Sequence, residues 1–298
     1  MNIITLLNDF NIPYSEEGKN VSAGWIGMQC PFCDDTSNHL GYNMDEHYFS
    51  CWKCGGHPTI STIMKLLGVS EYQAKSIMRQ YRLPITNKVK PEIKSSQKEI
   101  LKFPVGTGQL QDNHKIYLAK RGFDPDEIEN IWNLKGTGPY GKLDNINYKH
   151  RIIIPYRWDG RDVSFTARDI TNKQKLKYIT CPAEYEVIEH KSILYGKQET
   201  LKSGRCILVE GPSDVWRFGT SSCAVSGIKY TFQQVHLLAS YDRVAICFDD
   251  DPQARIQAAK IVAELRFRGV DAFRVDIEGD PGSMKQEDAD YLVKQLIH

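Results

Sequence analysis

The chain has almost no net charge, +1 from 38 Lys/Arg against 37 Asp/Glu, so bulk charge alone singles out no partner. It also lacks an apolar leader. Met1-Asn2-Ile3-Ile4-Thr5-Leu6-Leu7-Asn8-Asp9-Phe10 has no basic flank and meets an aspartate within ten residues, which speaks against a signal peptide or a membrane anchor. One stretch, residues 87–98, lacks hydrophobic periodicity altogether. It is lysine-rich, lies among Pro84, Pro91 and Pro104, and reads as a tether. Cysteine is not lacking: of eight, four sit in two CxxC pairs and four are scattered singly. Without an export signal this pattern favours metal binding over disulfides and a reducing, cytoplasmic setting. With 298 residues, 41% hydrophobic and 25% charged, the chain can bury a core and is long enough for two domains and a small third.

The near-neutral total hides a gradient. Residues 1–82 carry a balance of −2, residues 83–205 of +7 and residues 206–298 of −4. A basic middle beside an acidic end suits a nucleic-acid surface feeding a metal centre.

Two acidic clusters define that end. Cys206-Ile207-Leu208-Val209 runs into Glu210-Gly211-Pro212-Ser213-Asp214, and Val244-Ala245-Ile246-Cys247-Phe248 runs into Asp249-Asp250-Asp251. In each, a short β-type run ends in carboxylates and a helix-like stretch follows. Ligands of open α/β sheets gather at the carboxyl ends of strands, so both clusters are expected at one crevice. Converging carboxylates suit Mg²⁺, a hard cation that bridges to phosphates. The residues therefore point to metal-dependent chemistry on a phosphate-bearing substrate.

Cys30-Pro31-Phe32-Cys33 and Cys51-Trp52-Lys53-Cys54, seventeen residues apart, can wrap one tetrahedral zinc ion in a zinc ribbon. Four thiolates leave no open position, so this metal is expected to be structural. His39, His47 and His57 flank the pairs and could replace a thiolate, although a surface or supporting place suits each better. Trp52, Tyr48, Phe49, His39 and Lys53 could form a stacking face for single-stranded bases, with core packing an equal reading for the aromatics. Residues 61–68 and 71–82 read as short helices, with Gly68 as a stop and Ser70 as a cap.

In the middle, Tyr117–Phe123 reads as a helix ending at Gly122, and Asp124-Pro125 opens another. Arg151–Tyr156 and Val163–Arg168 read as strands joined at Asp159-Gly160. Arg151, Arg157, Arg161, Arg168, Lys173, Lys175 and Lys177 crowd into 27 residues, and as a group they favour phosphate contact. Strand alternation divides them between two faces.

These segments, in this order, resemble the bacterial-type DNA primases over nearly the whole chain. The resemblance rests on Cys30-Pro31-Phe32-Cys33 with Cys51-Trp52-Lys53-Cys54-Gly55, on Tyr117-Leu118 with Arg121-Gly122-Phe123, and on Arg151-Ile152-Ile153-Ile154-Pro155. Lys177-Tyr178, Leu194-Tyr195-Gly196, Glu210-Gly211-x-x-Asp214, Ser226-Gly227, Phe248-Asp249-x-Asp251 and Asp280-Pro281 complete it. It implies an α/β fold, α+β overall: a zinc ribbon with short helices (1–82), a flexible linker (83–106), a basic subdomain (107–200) and a Toprim subdomain with a mostly parallel sheet (201–298). It further implies template-directed RNA primer synthesis on single-stranded DNA from nucleoside triphosphates, with Mg²⁺ or Mn²⁺ as catalytic ions and a separate replicative helicase as partner.

Glu210, Asp249, Asp251 and Asp280 are the implied metal ligands. Glu210 could alternatively orient the attacking hydroxyl, and Asp214 would stand one turn into the helix in support. Arg151, Arg168, Lys177 and Lys191, with Trp52 and Lys53 of the ribbon, are the implied template or nucleotide contacts. Departures from the family pattern are Cys33 where a histidine is usual, Asp250 for a glycine, Gln253-Ala254 for Ala-Gly, and Thr180-Cys181-Pro182 for Asn-Ser-Pro. The first and the short length suggest a phage or mobile-element relative. Asp250 either caps the following helix or joins the site. Competing readings are a zinc/Toprim DNA-binding recombination mediator and a Toprim nuclease; a type IA topoisomerase would need a further domain for its tyrosine.

Overall fold

The computed structural model describes residues 1–81, 100–196 and 203–297. Most of the expected linker lies outside the described residues. Its C-terminal end is folded: Leu101 is buried and the Phe103 ring lies 5.6 Å from Phe165. Two compact units result. One contains residues 1–81 with Leu238–Arg243 and Ala259–Phe273; the other contains the described residues from 100 to Leu237, Val244–Ala258 and Arg274 onward.

In the first unit, strands β1 (Tyr14–Ser15), β2 (Trp25–Met28), β3 (Leu40–Asn43), β4 (Phe49–Cys51) and β5 (Gly55–His57) form an antiparallel sheet in chain order. Helices α1 (Ile3–Asp9), α2 (Thr59–Leu67) and α3 (Glu71–Gln80) accompany it. Ile3, Leu6, Leu7, Met28, Leu40, Tyr42, Phe49 and Ile63 are fully buried in a shared core. Gly68 ends α2 in the left-handed conformation (φ 65°), which glycine adopts without a Cβ penalty. Ser70 caps α3, completing a capping box with Gln73. The stop and the cap expected there are both present.

The second unit holds an antiparallel sheet in the order β11-β10-β9-β7-β6, with β8 beside β7. Its members are β6 (Val105–Gly108), β7 (Lys135–Leu143), β8 (Ile146–Asn147), β9 (Arg151–Trp158), β10 (Arg161–Asp169) and β11 (Tyr178–Thr180). Trp158 and Arg161 close the β9–β10 hairpin around Asp159 and Gly160, both at positive φ (49° and 75°), the geometry that matches strand twist. Before this hairpin come α4 (Asp112–Lys120) and α5 (Pro125–Trp132), the latter capped by Asp124 with Pro125 in its first turn.

A third sheet follows: β12 (Arg205–Val209), β13 (Ser222–Ala224), β14 (Arg243–Ile246) and β15 (Asp271–Arg274), in the order β13-β12-β14-β15. Its β12 and β13 are parallel, joined through α6 (Pro212–Phe218). After β13 come α7 (Phe232–Leu238), α8 (Pro252–Phe267) and α9 (Gln286–Ile297). Strands β12 and β14 are central, apolar and nearly wholly buried, as strands covered on both faces must be. No helix among the described residues is long and apolar enough to cross a membrane.

Candidate functional site: a thiolate cluster and a carboxylate crevice

The first cluster is made by two tight turns. Cys30 and Cys33 follow β2, and Cys51 and Cys54 close the β4–β5 hairpin, where Gly55 takes φ 91°. The four sulfurs lie within 4.8 Å of one another, with Cys30–Cys54 at 3.6 Å and Cys33–Cys51 at 3.9 Å. Four thiolates on a tetrahedral zinc, each about 2.3 Å from the ion, stand about 3.8 Å apart, so the donor set fits structural zinc.

Asp35 supports this geometry, and sequence reasoning missed it. Its buried carboxylate accepts the backbone N–H groups of Cys30, Ser37 and His39 at 2.8–2.9 Å and meets His39 Nδ1 at 2.8 Å. Burial alone would raise its pKa, but these donors hold it below the ordinary carboxylate value. His47 meets Tyr42. His57 Nε2 reaches the Cys54 sulfur at 3.0 Å, and its ring stacks on Phe32 at 3.9 Å. Trp52 is 78% exposed; Lys53, also exposed, donates to the Asp34 carbonyl at 2.6 Å.

The second cluster sits where β12 and β14 end, as the strand-end argument anticipates. The Asp249 N–H donates to Glu210 Oε1 at 3.1 Å, tying the two strand ends together. Glu210, Asp249 and Asp251 offer oxygens within 4.8 Å of one another, and so do Asp214, Asp249 and Asp280. The two triads share Asp249. Its Oδ1 is buried with no hydrogen-bond partner among the described residues, an acceptor left for a cation. Burial, reinforced by neighbouring carboxylates, pushes Glu210 and Asp214 each up to about 7. Asp249 is raised by burial and by Asp280 and Asp251, with Lys177 opposing. A crowded, mostly half-buried set of like charges with only Lys177 opposing it has the chemistry of a divalent-cation site.

Local geometry places each carboxylate. Asp214, on α6, accepts the Gly211 N–H at 2.9 Å. Asp280 turns the chain by accepting from Gly282 N–H at 2.9 Å and the Ser283 hydroxyl at 2.8 Å. A Cβ on Gly282 would lie 2.6 Å from Asp214 Oδ1, so only glycine permits this approach. Asp251 accepts the Gln253 and Ala254 N–H groups at 2.8 and 3.0 Å and thereby caps α8. The cap considered for Asp250 thus belongs to Asp251, while Asp250 turns to Arg255, whose Nε lies 3.0 Å away. Asp214, expected in a supporting place, belongs to a triad.

The basic residues are placed differently from the expectation of a shared phosphate surface. Arg151 is 1% exposed, and its guanidinium donates to the carbonyls of Ala167, Leu176 and Lys177 at 2.8–3.2 Å. It holds the backbone that carries Lys177. Arg168 is 4% exposed and grips two tyrosine hydroxyls. Lys191 directs Nζ to the carbonyls of Val225, Ser226 and Lys229 at 2.7–3.3 Å. Lys177 is exposed and close enough to act on Asp249. Arg217, also missed, anchors α6 by donating to the carbonyls of Arg121 and Gly122 at 2.7 and 3.2 Å. That contact gives the Arg121-Gly122-Phe123 segment its structural purpose.

Fold and site together define an α/β protein with a thiolate-bound ribbon and a strand-end acidic crevice. No family model matches the chain. It is similar to curated DNA primases: that of Escherichia coli (strain K12), 24% identical over 306 residues covering 84% of this chain, and that of Streptomyces coelicolor, 24% identical over 346 residues covering 94%. The chain spans about half the length of these relatives, 51% and 53%. Its fold is similar to the zinc-binding and RNA polymerase domains of the Aquifex aeolicus primase, with a TM-score of 0.53 at 19% identity, covering 100% of this chain and 82% of that one.

Proposed function

We propose that this chain synthesises short RNA primers on single-stranded DNA, with residues 201–298 as a Toprim-type catalytic part, 107–200 as a basic substrate-holding part and 1–82 as a zinc-ribbon part. The observation that carries this reading is the pair of carboxylate triads sharing Asp249, with its buried and unpartnered Oδ1, beside the exposed Lys177. Similarity to curated primases across most of the chain supports the same substrate class.

Primer synthesis requires the 3′-hydroxyl of one nucleotide to attack the α-phosphate of the next, with pyrophosphate leaving. Bound Mg²⁺ or Mn²⁺ would neutralise charge on the attacking and leaving oxygens. Glu210, Asp249 and Asp251 would hold one ion, and Asp214, Asp249 and Asp280 a second. Lys177 supplies a positive charge on the approach to Asp249, suited to a phosphate as a point charge. Arg151 fixes that lysine's backbone, and Lys191 fixes the Ser226-Gly227 turn, whose Gly227 N–H donates to the Glu210 carbonyl at 2.8 Å. Trp52 and Lys53 on the ribbon suit stacking and phosphate contact with the template. The setting we infer is cytoplasmic, of phage or mobile-element type, with a separate helicase as partner.

The test is incubation with single-stranded DNA, labelled ribonucleotides and Mg²⁺ or Mn²⁺. Short RNA products are expected from the native chain, and none from Glu210→Gln with its circular dichroism unchanged. Undiminished synthesis by the variant overturns the site. Template cleavage instead of synthesis makes the chain a nuclease, and neither activity leaves a DNA-binding mediator.

A further inference from the structure

Lys191 is a half-buried cation that pairs with no carboxylate among the described residues; burial pushes its pKa down and no neighbouring charge opposes this. Backbone holds it instead. Nζ donates to the carbonyls of Ser226 at 2.7 Å, Lys229 at 3.1 Å and Val225 at 3.3 Å. An ammonium has three protons, so three carbonyls leave none for a phosphate. The carbonyls meet at one point because the chain doubles back between them. Ser226 takes φ 62°, uncommon for a residue with a side chain, and Gly227 takes φ 111°. The Tyr156 hydroxyl donates to Ser226 Oγ and secures the turn from the antiparallel sheet.

This arrangement does not depend on the Lys191 side chain alone. Gln234, fully buried on α7, donates its amide to the carbonyls of Ile193 at 2.9 Å and Val225 at 3.0 Å. The Thr231 hydroxyl donates to the Lys191 carbonyl at 2.8 Å. The segment carrying Lys191 and the turn that receives it are therefore tied together twice without the ammonium. Backbone carbonyls gathered around one point hold K⁺ in ion-selective filters, where they replace its hydration shell. On its other side the turn meets the crevice. Gly227 N–H donates to the Glu210 carbonyl at 2.8 Å, and the Glu210 carboxylate belongs to a triad with Asp249 and Asp251.

We propose that the Val225, Ser226 and Lys229 carbonyls form a monovalent-cation site whose resident cation is the Lys191 ammonium, and that Lys191 is a positioning residue acting on Glu210 through this turn. Its action on Glu210 rests on reading the crevice as a divalent-cation centre; the carbonyl site does not.

Two variants of the full, zinc-loaded chain test this. Lys191→Ala empties the carbonyl site, and Lys191→Met fills its space without a charge. Ammonium chloride should raise the thermal midpoint of Lys191→Ala above its value in an equal concentration of tetramethylammonium chloride. The native chain and Lys191→Met should show no such difference. Its absence in Lys191→Ala, or a loss of fold there that ammonium does not repair, overturns the carbonyl site. Mn²⁺ titration, followed by electron paramagnetic resonance of free Mn²⁺, tests the link to Glu210. The native chain is expected to bind two ions. Lys191→Ala should bind one of them about 10- to 100-fold more weakly in tetramethylammonium and recover in ammonium. Native Mn²⁺ binding by Lys191→Ala, with a raised nucleotide KM in primer synthesis as its one defect, overturns the positioning role and returns Lys191 to a phosphate. No Mn²⁺ binding by the native chain overturns the divalent-cation reading and the action on Glu210 with it, and the thermal measurement still decides the carbonyl site.

Discussion

The four thiolates come from two tight turns of one small sheet, Cys30 to Cys54, whereas the five carboxylates come from Glu210 and Asp214, Asp249 and Asp251, and Asp280, three segments of a larger fold. The thiolate set is closed: four donors satisfy a tetrahedral ion and leave nothing for a substrate. The carboxylate set is open and under internal repulsion, with Glu210 and Asp214 raised to about 7 and an Asp249 oxygen unpartnered. One cluster is what its module needs in order to fold; the other is a burden the surrounding sheet must carry. Stability and chemistry therefore reside at different clusters, and removing either cluster's ligands should have opposite effects on the two.

The largest effect is expected from breaking the closed set. Cys51→Ser should abolish zinc binding, read as loss of the single equivalent of zinc by metal analysis. Small modules without their metal are commonly unfolded, so residues 1–81 should become protease-sensitive. Protection of the second unit, read at residues 100–237 and 274–297, should be retained. Full zinc content in the variant, or collapse of both regions together, would contradict this division.

A milder change to the same cluster separates the metal ligands from their support. Asp35→Asn keeps the size of the side chain but weakens its hold on Cys30, Ser37 and His39. Zinc affinity, measured by competition with a chromogenic chelator, should fall by about 10- to 100-fold while zinc stoichiometry stays the same. An unchanged affinity would mean that the turns alone orient the cysteines.

The same contrast explains what could be read from sequence. Cys30–Cys33 and Cys51–Cys54 are legible because a local turn brings each pair together, and spacing along the chain reports it. The acidic crevice was legible in outline because two strand-like runs end in carboxylates. Its internal division was not: the side of the crevice Asp214 joins depends on Gly282, 68 positions away, admitting its carboxylate. The Asp251 cap was available, since Asp251 immediately precedes Pro252 and proline favours the first helical position. Arg151 and Arg168 misled because alternation was assumed for β9 and β10. Both strands are almost continuously buried, Arg151 beside Ile152-Ile153-Ile154 and Arg168 after Val163–Ala167, so a cation there goes inside whichever face it takes. Tyr178 and Lys177 are sequence neighbours with opposite fates, one turned to the buried Arg168 and the other exposed. Only tertiary packing distinguishes them.

The smallest effect is one of pH, and it sets the two clusters against each other. Asp35 is held below its ordinary pKa, so its contribution is present above about pH 4, the unfolded aspartate value, and is lost on acidification through its folded pKa. Glu210 and Asp214 behave in reverse. Folded, they keep protons up to about pH 7, whereas unfolded carboxyls release theirs near pH 4. Between these values the folded chain binds more protons, so their contribution is full below about pH 4 and is lost as pH rises through 7. The charges facing them are Asp249, Asp251 and Asp280, with Lys177 opposing at Asp249.

With zinc bound but other divalent cations absent, the thermal midpoint should therefore fall between pH 5.5 and pH 8. Adding Mg²⁺ should raise it more at pH 8, where the carboxylates are free to bind, than at pH 5.5, where protons compete. Differential scanning fluorimetry at the two pH values, with and without Mg²⁺, reads all four states. A Mg²⁺ response of equal size at both would place the cation away from Glu210 and Asp214, because only ligands that must first lose a proton make the response depend on pH.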